Sequence, residues 1–99
     1  MRILAIERPV PGVSPEQFTA EMAASEARSV WQLNQQGVIR DLYFRADHAA
    51  AVLVLESADV AEASTVLAML PLVQAGLIEF EVIPLRAYPG FARLFEQQP

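Results

Sequence analysis

The chain contains no cysteine and no lysine, and it has only one histidine. Without cysteine it can form neither a disulfide framework nor a thiolate nucleophile. Structural zinc sites are built from several cysteine and histidine ligands, and one histidine does not supply them. We therefore expect a protein without a structural metal and without thiol chemistry.

Glycine is also scarce. The four glycines, Gly12, Gly37, Gly76 and Gly90, stand far apart. A loop that cradles phosphate groups needs closely spaced glycines. We therefore expect no nucleotide cofactor bound in the standard way, and no other cofactor is indicated.

Long hydrophobic runs are missing as well. The longest is AAAVLVL, Ala49 to Leu55, whereas a membrane-spanning helix needs about 20 apolar residues. The opening MRILAIERPVPG has one early arginine but neither the long apolar core nor the small-residue cleavage pattern of a signal peptide. These features predict no membrane partner and a cytoplasmic location.

The charge balance argues against nucleic acid as a partner. The formal net charge is −5, and the seven basic residues are all arginines scattered along the chain. A protein that binds nucleic acid needs a basic patch to neutralise phosphates. Neither the sign nor the distribution of charge provides one.

Apolar residues are abundant for so short a chain. They make up 54% of the 99 residues, against about 45–50% in typical soluble domains. A chain of this length buries only about 60–65% of its unfolded surface. A partner subunit would cover the remaining apolar side chains, so we expect a homo-oligomer.

Four segments have the pattern of β-strands. The third, AAAVLVLE, is apolar on both faces and is therefore expected in the middle of the sheet. In the second, Val38, Arg40, Leu42 and Phe44 alternate with a second set of side chains. The four predicted strands are RILAIER at 2–8, VIRDLYFR at 38–45, AAAVLVLE at 49–56 and LIEFEVIPL at 77–85.

Two helices are expected between these strands. Ser14 as N-cap, Pro15 and Gln17 form a start signal for a helix that continues to about Gln36 and ends at Gly37. Asp59 with Glu62 has the same spacing and starts a second helix, which Pro71 ends.

The order strand, helix, strand, strand, helix, strand is that of the ferredoxin-like α+β fold, with a four-stranded antiparallel sheet and both helices on one face. We expect one domain over residues 1–99, with residues 86–99 as a C-terminal tail. Phe91, Leu94 and Phe95 make this tail apolar enough to dock on the domain or on a neighbour. Because the central strand is apolar on both faces, we expect two sheets to pack face to face as a dimeric α+β barrel.

Two stretches carry a more specific resemblance. In the first, Gly37 ends the long helix, Arg40 and Tyr43 follow, and a turn with His48 leads into an apolar strand. In the second, LPL at 70–72 follows the second helix and precedes the strand IEFEV. In this order and spacing, the chain resembles the muconolactone isomerase family.

The resemblance implies a cofactor-free, oligomeric isomerase that acts on a small unsaturated lactone acid, as in aromatic compound catabolism. Such an enzyme moves a double bond by transferring a proton on carbons next to a carbonyl group. It needs a base, a donor that stabilises the enolate and a cation that holds the carboxylate. The absence of lysine, the short N-terminal segment and the tail YPGFARLF depart from the family pattern and leave the substrate open.

Two residues are not explained by an ordinary half-buried strand. His48 is the only side chain with an unperturbed pKa near neutrality, which makes it a candidate proton carrier; the alternative is a plain turn residue. Arg40 has apolar neighbours on its strand face and needs a partner. That partner is either a substrate carboxylate or a glutamate of the last strand, Glu79 or Glu81.

Glu26 is the second candidate catalytic residue. In a dry pocket its pKa would rise and it could act as a base; in water it would be an ordinary helix residue. Tyr43 could donate to an enolate oxygen, although it faces away from Arg40 on the predicted strand. Trp31 belongs to a broad apolar helix face and is expected in the core, against substrate in a pocket, or against another subunit.

Two other function classes fit the same fold. A cofactor-free monooxygenase acting on an aromatic or polyketide-like compound would need an apolar pocket lined by Trp31, Tyr43 and Phe44. A non-enzymatic small-ligand-binding or assembly protein would show no turnover. Fold alone does not distinguish them.

Overall fold

The computed structural model describes residues 1–96. Its strands are β1 (Arg2–Pro9), β2 (Ile39–Phe44), β3 (Ala51–Glu56) and β4 (Ile78–Pro84). Its helices are α1 (Ala20–Gln35), α2 (Val60–Ala68) and α3 (Pro71–Gln74), with short 3-10 turns at Pro15–Gln17 and Gly90–Leu94. Residues 97–99 of the predicted tail lie outside the described part.

The strands form one antiparallel sheet in the order β2-β3-β1-β4. The two central strands, β1 and β3, are the ones whose sequences are most continuously apolar. The ferredoxin-like α+β fold predicted from the element order is therefore confirmed.

The core lies between the sheet and the helices. Ile3 and Ala5 of β1 and Leu53 and Leu55 of β3 project from the same face and are at most 3% exposed. They pack in one cluster with Ala63, Leu67 and Leu70. The opposite face carries Leu4, Ile6, Val52, Val54 and Ile83, none of which is fully buried.

The first helix begins later than the sequence predicted. The amide of Ser14 donates to Gln17 Oε1 at 2.8 Å and closes only a 3-10 turn. Thr19 then has extended backbone angles, and its Oγ1 accepts from the amide of Met22 at 3.2 Å. Thr19 is thus the N-cap of α1, because it satisfies an amide that has no partner inside the helix.

The end of α1 and the start of α2 follow the prediction. Gly37 has φ +79°, its amide donates to Asn34 O, and that of Val38 donates to Leu33 O, which is a Schellman end. At α2, Asp59 Oδ1 accepts from the amide of Glu62 at 2.8 Å. The capping pattern read from the sequence therefore sets both boundaries.

Strand β2 does not alternate as simply as its sequence suggests. Ile39 pairs with Leu55, while Asp41 pairs with Val54, so Arg40 is an extra residue in the ladder. This bulge places the buried Ile39 and the exposed Leu42 on the same face of the sheet, where strict alternation would have separated them.

The tail keeps most of its large apolar side chains exposed over the described residues. Phe91, Leu94 and Phe95 are all mostly exposed. Tyr88 and Phe91 contact each other edge to face, with ring centroids 5.1 Å apart. Docking of the tail on a neighbouring subunit remains a prediction.

Candidate functional site

A cavity of about 350 Å³ opens between α1 and the helix-facing side of the sheet. Ala23, Glu26, Ala27 and Val30 line it from α1, where their spacing of three and four residues forms one stripe. The alanines leave the space that larger side chains would fill. Its further apolar lining includes Leu42, Phe44, Leu53 and Phe80 from the sheet.

Glu26 brings a carboxyl group to this apolar cavity. Its Oε1 accepts a hydrogen bond from the amide of Leu72 at 3.0 Å. Leu72 lies in the first turn of α3, after Pro71, where an amide has no partner inside the helix. The LPL segment therefore fixes the orientation of Glu26.

The surroundings of Glu26 change its acidity. Burial raises the pKa of this carboxyl group, the Leu72 hydrogen bond opposes the change, and the negative charge of Glu7 adds to it. A raised pKa makes the ionised carboxylate a stronger base. Its Oε2 accepts no hydrogen bond within residues 1–96.

A second carboxyl group in the lining, that of Glu7, was not among the predicted site residues. Its Oε1 accepts from the amide of Ala51 at 2.9 Å, where β3 begins. The sequence carried a signal for it. Glu7 follows Ile3 and Ala5 at a spacing of two, which places it on the buried face of β1.

Tyr43 also lines the cavity, although 63% of this residue is exposed. Its neighbours Leu42 and Phe44 pair with Leu53 and Ala51, so their side chains project from the helix-facing side of the sheet. Tyr43 itself pairs with Val52, so its side chain projects from the opposite face and Tyr43 only borders the cavity.

The other three predicted site residues lie outside the lining. Arg40 donates from Nε to Gly37 O at 2.7 Å and is exposed. The His48 side chain is 57% exposed, with Nδ1 3.4 Å from Asp47 Oδ1. Trp31 is 62% exposed.

The ion pairs in the structure differ from the pair that the sequence suggested between Arg40 and a glutamate of the last strand. Arg8 on β1 forms the ion pair with Glu81. Arg45 binds both carboxylate oxygens of Asp47, and this contact lowers the Asp47 pKa to about 2. Over residues 1–96, no arginine and no histidine lines the cavity.

Two further observations concern metal ions and membrane-spanning helices. Within residues 1–96 there is no group of three or more histidine or acidic side chains placed to hold a metal ion. The same part of the chain contains no helix that is long and apolar enough to cross a membrane.

Comparison with known families assigns the chain to one of them. The sequence model of muconolactone delta-isomerase matches residues 4–90. The chain belongs to the muconolactone delta-isomerase family. The match includes both carboxyl groups of the cavity, Glu7 and Glu26, and the segment 70–72 that holds Glu26.

Solved structures agree with this membership at the level of the fold. A crystal structure of muconolactone isomerase has 24% sequence identity and a TM-score of 0.70, covering 90% of this chain and 92% of that one. The second is 5-chloro-2-hydroxyhydroquinone dehydrochlorinase from Burkholderia phenoliruptrix, in complex with 2,5-dihydroxybenzoquinone. It has 17% identity and a TM-score of 0.66, and covers 91% of this chain and 98% of that one. No curated protein sequence matches the chain.

Proposed function

We propose that this member of the family is a small cofactor-free enzyme that moves a proton, and with it a carbon–carbon double bond, in a small unsaturated lactone. The observation that carries the proposal is Glu26, a partly buried carboxyl group with a raised pKa in an apolar cavity. Family membership supports the reaction class, and the volume of about 350 Å³ suits a small ring compound.

In this mechanism Glu26 is the base. Its Oε1 is held by the Leu72 amide, and Oε2 takes a proton from a carbon conjugated with the lactone carbonyl, which in muconolactone is the γ carbon. Charge then develops on the carbonyl oxygen, where a hydrogen-bond donor stabilises it. Tyr43 borders the cavity, and we propose it for this donor role although its side chain projects from the other face of the sheet.

Three predicted site residues are not part of the cavity of a single chain. Arg40 as an anchor for the substrate carboxylate, His48 as a proton carrier and Trp31 as a substrate contact all lie outside the cavity lining. Their roles depend on a second copy of the chain that completes the site. Arg40→Ala and His48→Ala therefore belong in the same assays.

The test is double-bond migration in muconolactone, followed by proton NMR. We expect Glu26→Gln to lower the rate about 100-fold or more, since positioned acid–base groups typically contribute 10²–10⁴-fold. Glu21→Gln is the matched control, because Glu21 is exposed on the same helix. Its rate should equal that of the wild type.

The same samples separate the other function classes. An unchanged rate in Glu26→Gln would contradict the proposed base. Oxygen uptake with an aromatic compound, without lactone turnover, would favour a monooxygenase. Thermal stabilisation by ligands without any turnover would favour a binding protein.

We also propose that the chain forms a homo-oligomer through the face of the sheet that carries no helix. The support is the row of apolar side chains on that face, including Leu4, Ile6 and Val54, which the helices leave uncovered. The exposed side chains of the tail, Tyr88, Phe91 and Leu94, would be covered in the same assembly.

A further inference from the structure

Resting on the proposed function, we propose that Glu7 is a specificity-determining residue of this cavity: its carboxylate selects uncharged unsaturated lactones over lactones that carry a carboxylate. Double-bond migration needs only the lactone ring, because the carbonyl that makes the C–H groups acidic belongs to the ring. A further carboxylate on the substrate contributes through binding. The charges that line the cavity decide whether that contribution is favourable.

The sheet turns the Glu7 side chain toward the cavity. Glu7 lies on the same face of β1 as Ile3 and Ala5. Its pairing partner on β4, Phe80, also lines the cavity. Its Oε1 accepts from the amide of Ala51 at 2.9 Å, and no hydrogen bond reaches its Oε2 in the described part of the chain. A ligand in the cavity therefore meets a carboxylate held in place by the backbone.

The arginines that adjoin the cavity lining in sequence are engaged elsewhere. Arg8 follows Glu7, but it projects from the opposite face of the sheet and forms an ion pair with Glu81. Arg45 follows the last residue of β2 and binds the two carboxylate oxygens of Asp47 at 2.9 and 2.7 Å. Over the described residues, the lining contains no arginine and no histidine, so no cation offsets the charge of Glu7 there.

The charge of Glu7 acts across the cavity on Glu26. In addition to burial, this negative charge raises the pKa of the Glu26 carboxyl group. The same field acts on any charge that a ligand brings between α1 and the sheet. A substrate carboxylate would be a third negative charge beside Glu7 and the ionised base, and like charges repel strongly where little water screens them. An uncharged lactone avoids this repulsion.

Two further properties favour an uncharged ligand. The formal net charge of the chain is −5, and a negative field lowers the local concentration of anions around a protein. The cavity, of about 350 Å³, is otherwise mostly apolar, with Leu42, Leu53 and Phe80 in its lining. These side chains suit the body of a small neutral ring.

A cation supplied by a second copy of the chain is the competing explanation. Arg40 is the residue considered for such an anchor, and within one copy its Nε donates to Gly37 O. If Arg40 of a second copy reached the cavity, a substrate carboxylate would gain a partner and the selectivity would be reversed. Arg40→Ala is therefore part of the experiment.

The experiment compares muconolactone with its carboxamide, using the full-length protein near neutral pH. The two compounds share the same ring and are nearly equal in size, but the carboxamide replaces the carboxylate by an uncharged group. Double-bond migration followed by proton NMR gives kcat/KM for each compound. The readout is the ratio of the two values, because a change in base strength or in the fold affects both substrates alike.

Glu7→Gln removes the charge but keeps an oxygen that accepts the Ala51 hydrogen bond. We expect the wild type to favour the carboxamide by about 10-fold or more, the size of effect that nearby like charges produce. In Glu7→Gln, muconolactone should recover about 10-fold relative to the carboxamide. Glu79→Gln, which removes an exposed charge outside the lining, should keep the wild-type ratio.

Two results would overturn the role of Glu7. One is a preference of the wild type for muconolactone, and loss of that preference in Arg40→Ala would assign it to a cation from a second copy. The other is an unchanged ratio in a folded Glu7→Gln protein. Turnover of neither compound by the wild type would overturn the proposed function.

Binding to the wild type covers the case in which Glu7→Gln does not fold. The saturated forms of the two lactones have no double bond to move, so thermal stabilisation of the protein measures their binding without reaction. Stronger stabilisation by the saturated carboxamide supports charge selection by the cavity, even if neither reactive lactone is turned over. Equal or stronger stabilisation by the saturated acid would contradict it.

Discussion

At the scale of single residues, the cavity is defined by how two glutamates are held. Glu26 and Glu7 each accept from one backbone amide at the start of a structural element, and the Leu72 amide has no partner inside its own helix. The same hydrogen bonds that complete α3 and β3 thus orient the carboxyl groups. Structure and proposed chemistry use the same contacts.

The pH dependence of the reaction follows from the raised pKa of Glu26. Its base form is the ionised one, so the rate of double-bond migration should rise with pH, with a midpoint above the ordinary carboxyl value of 4.5. Glu7 and Tyr43 are the other titratable groups of the lining. Since the Glu7 charge raises the Glu26 pKa, Glu7→Gln should move the midpoint to lower pH.

The measurement is the rate of double-bond migration in muconolactone as a function of pH in the wild type and in Glu7→Gln. Glu79→Gln, an exposed change on β4, is the control. A midpoint that stays in place in Glu7→Gln would contradict electrostatic coupling of the two groups.

The effect of pH on the free energy of unfolding has the opposite sign to its effect on the reaction rate. A folded-state pKa raised above the unfolded value means that this contribution to stability falls as pH rises through the window between the two pKa values.

At the scale of elements, backbone caps fix the boundaries that position the cavity. The Schellman end of α1 at Gly37 has a counterpart in α3, where the amides of Gly76 and Leu77 donate to Val73 O and Leu72 O. Gly76 has φ +75°. The α3 turn is therefore fixed at its end by Gly76 and at its start by Glu26, which explains why four residues form a helix here.

Gly37→Ala tests this account of the first cap. An added Cβ would meet only Arg40 Nε, at 4.0 Å, so the cost should come from the positive φ alone. We expect the free energy of unfolding to fall by about 1–2 kcal/mol. Urea denaturation provides the measurement.

Gly37→Asn is the matched variant, because asparagine tolerates the left-handed region better than alanine does. It should lose less stability than Gly37→Ala. Equal losses in the two variants would point to a packing effect and contradict the conformational explanation.

At the scale of the whole molecule, the sheet has one covered and one uncovered face. The proposed homo-oligomer places a second copy on the uncovered face, and its disruption can be measured. Val54→Arg introduces a charge beside Leu4 at the centre of that face. We expect sedimentation at micromolar concentration to show a dimer or larger oligomer for the wild type and a monomer for Val54→Arg.

Thr65→Arg, an exposed change on α2, adds the same side chain away from the sheet and should leave the oligomer intact. A wild-type monomer at micromolar concentration would contradict the assembly. Dissociation by both variants would show that added positive charge, and not the sheet face, is responsible.

The sequence by itself determined the order of the four strands and the two main helices, the central position of β3, and the helix caps at Gly37 and Asp59. These depend on local periodicity and on hydrogen bonds between residues a few positions apart, which are visible in a linear pattern. The same patterns, with the segment 70–72, identified the family resemblance. Glu26 was also found from the sequence as a candidate, because it lies beside the apolar stripe of its helix.

Only the tertiary structure decided which side chains share the cavity. Glu7 and Glu26 come from elements far apart in the chain. They line one cavity because α1 lies on the face of the sheet from which Glu7 projects. The bulge at Arg40 depends on pairing with β3, which alternation within one strand cannot reveal. The exposure of Trp31 depends on how α1 is rotated on the sheet, since packing against other elements, not the composition of the helix, selects the buried side.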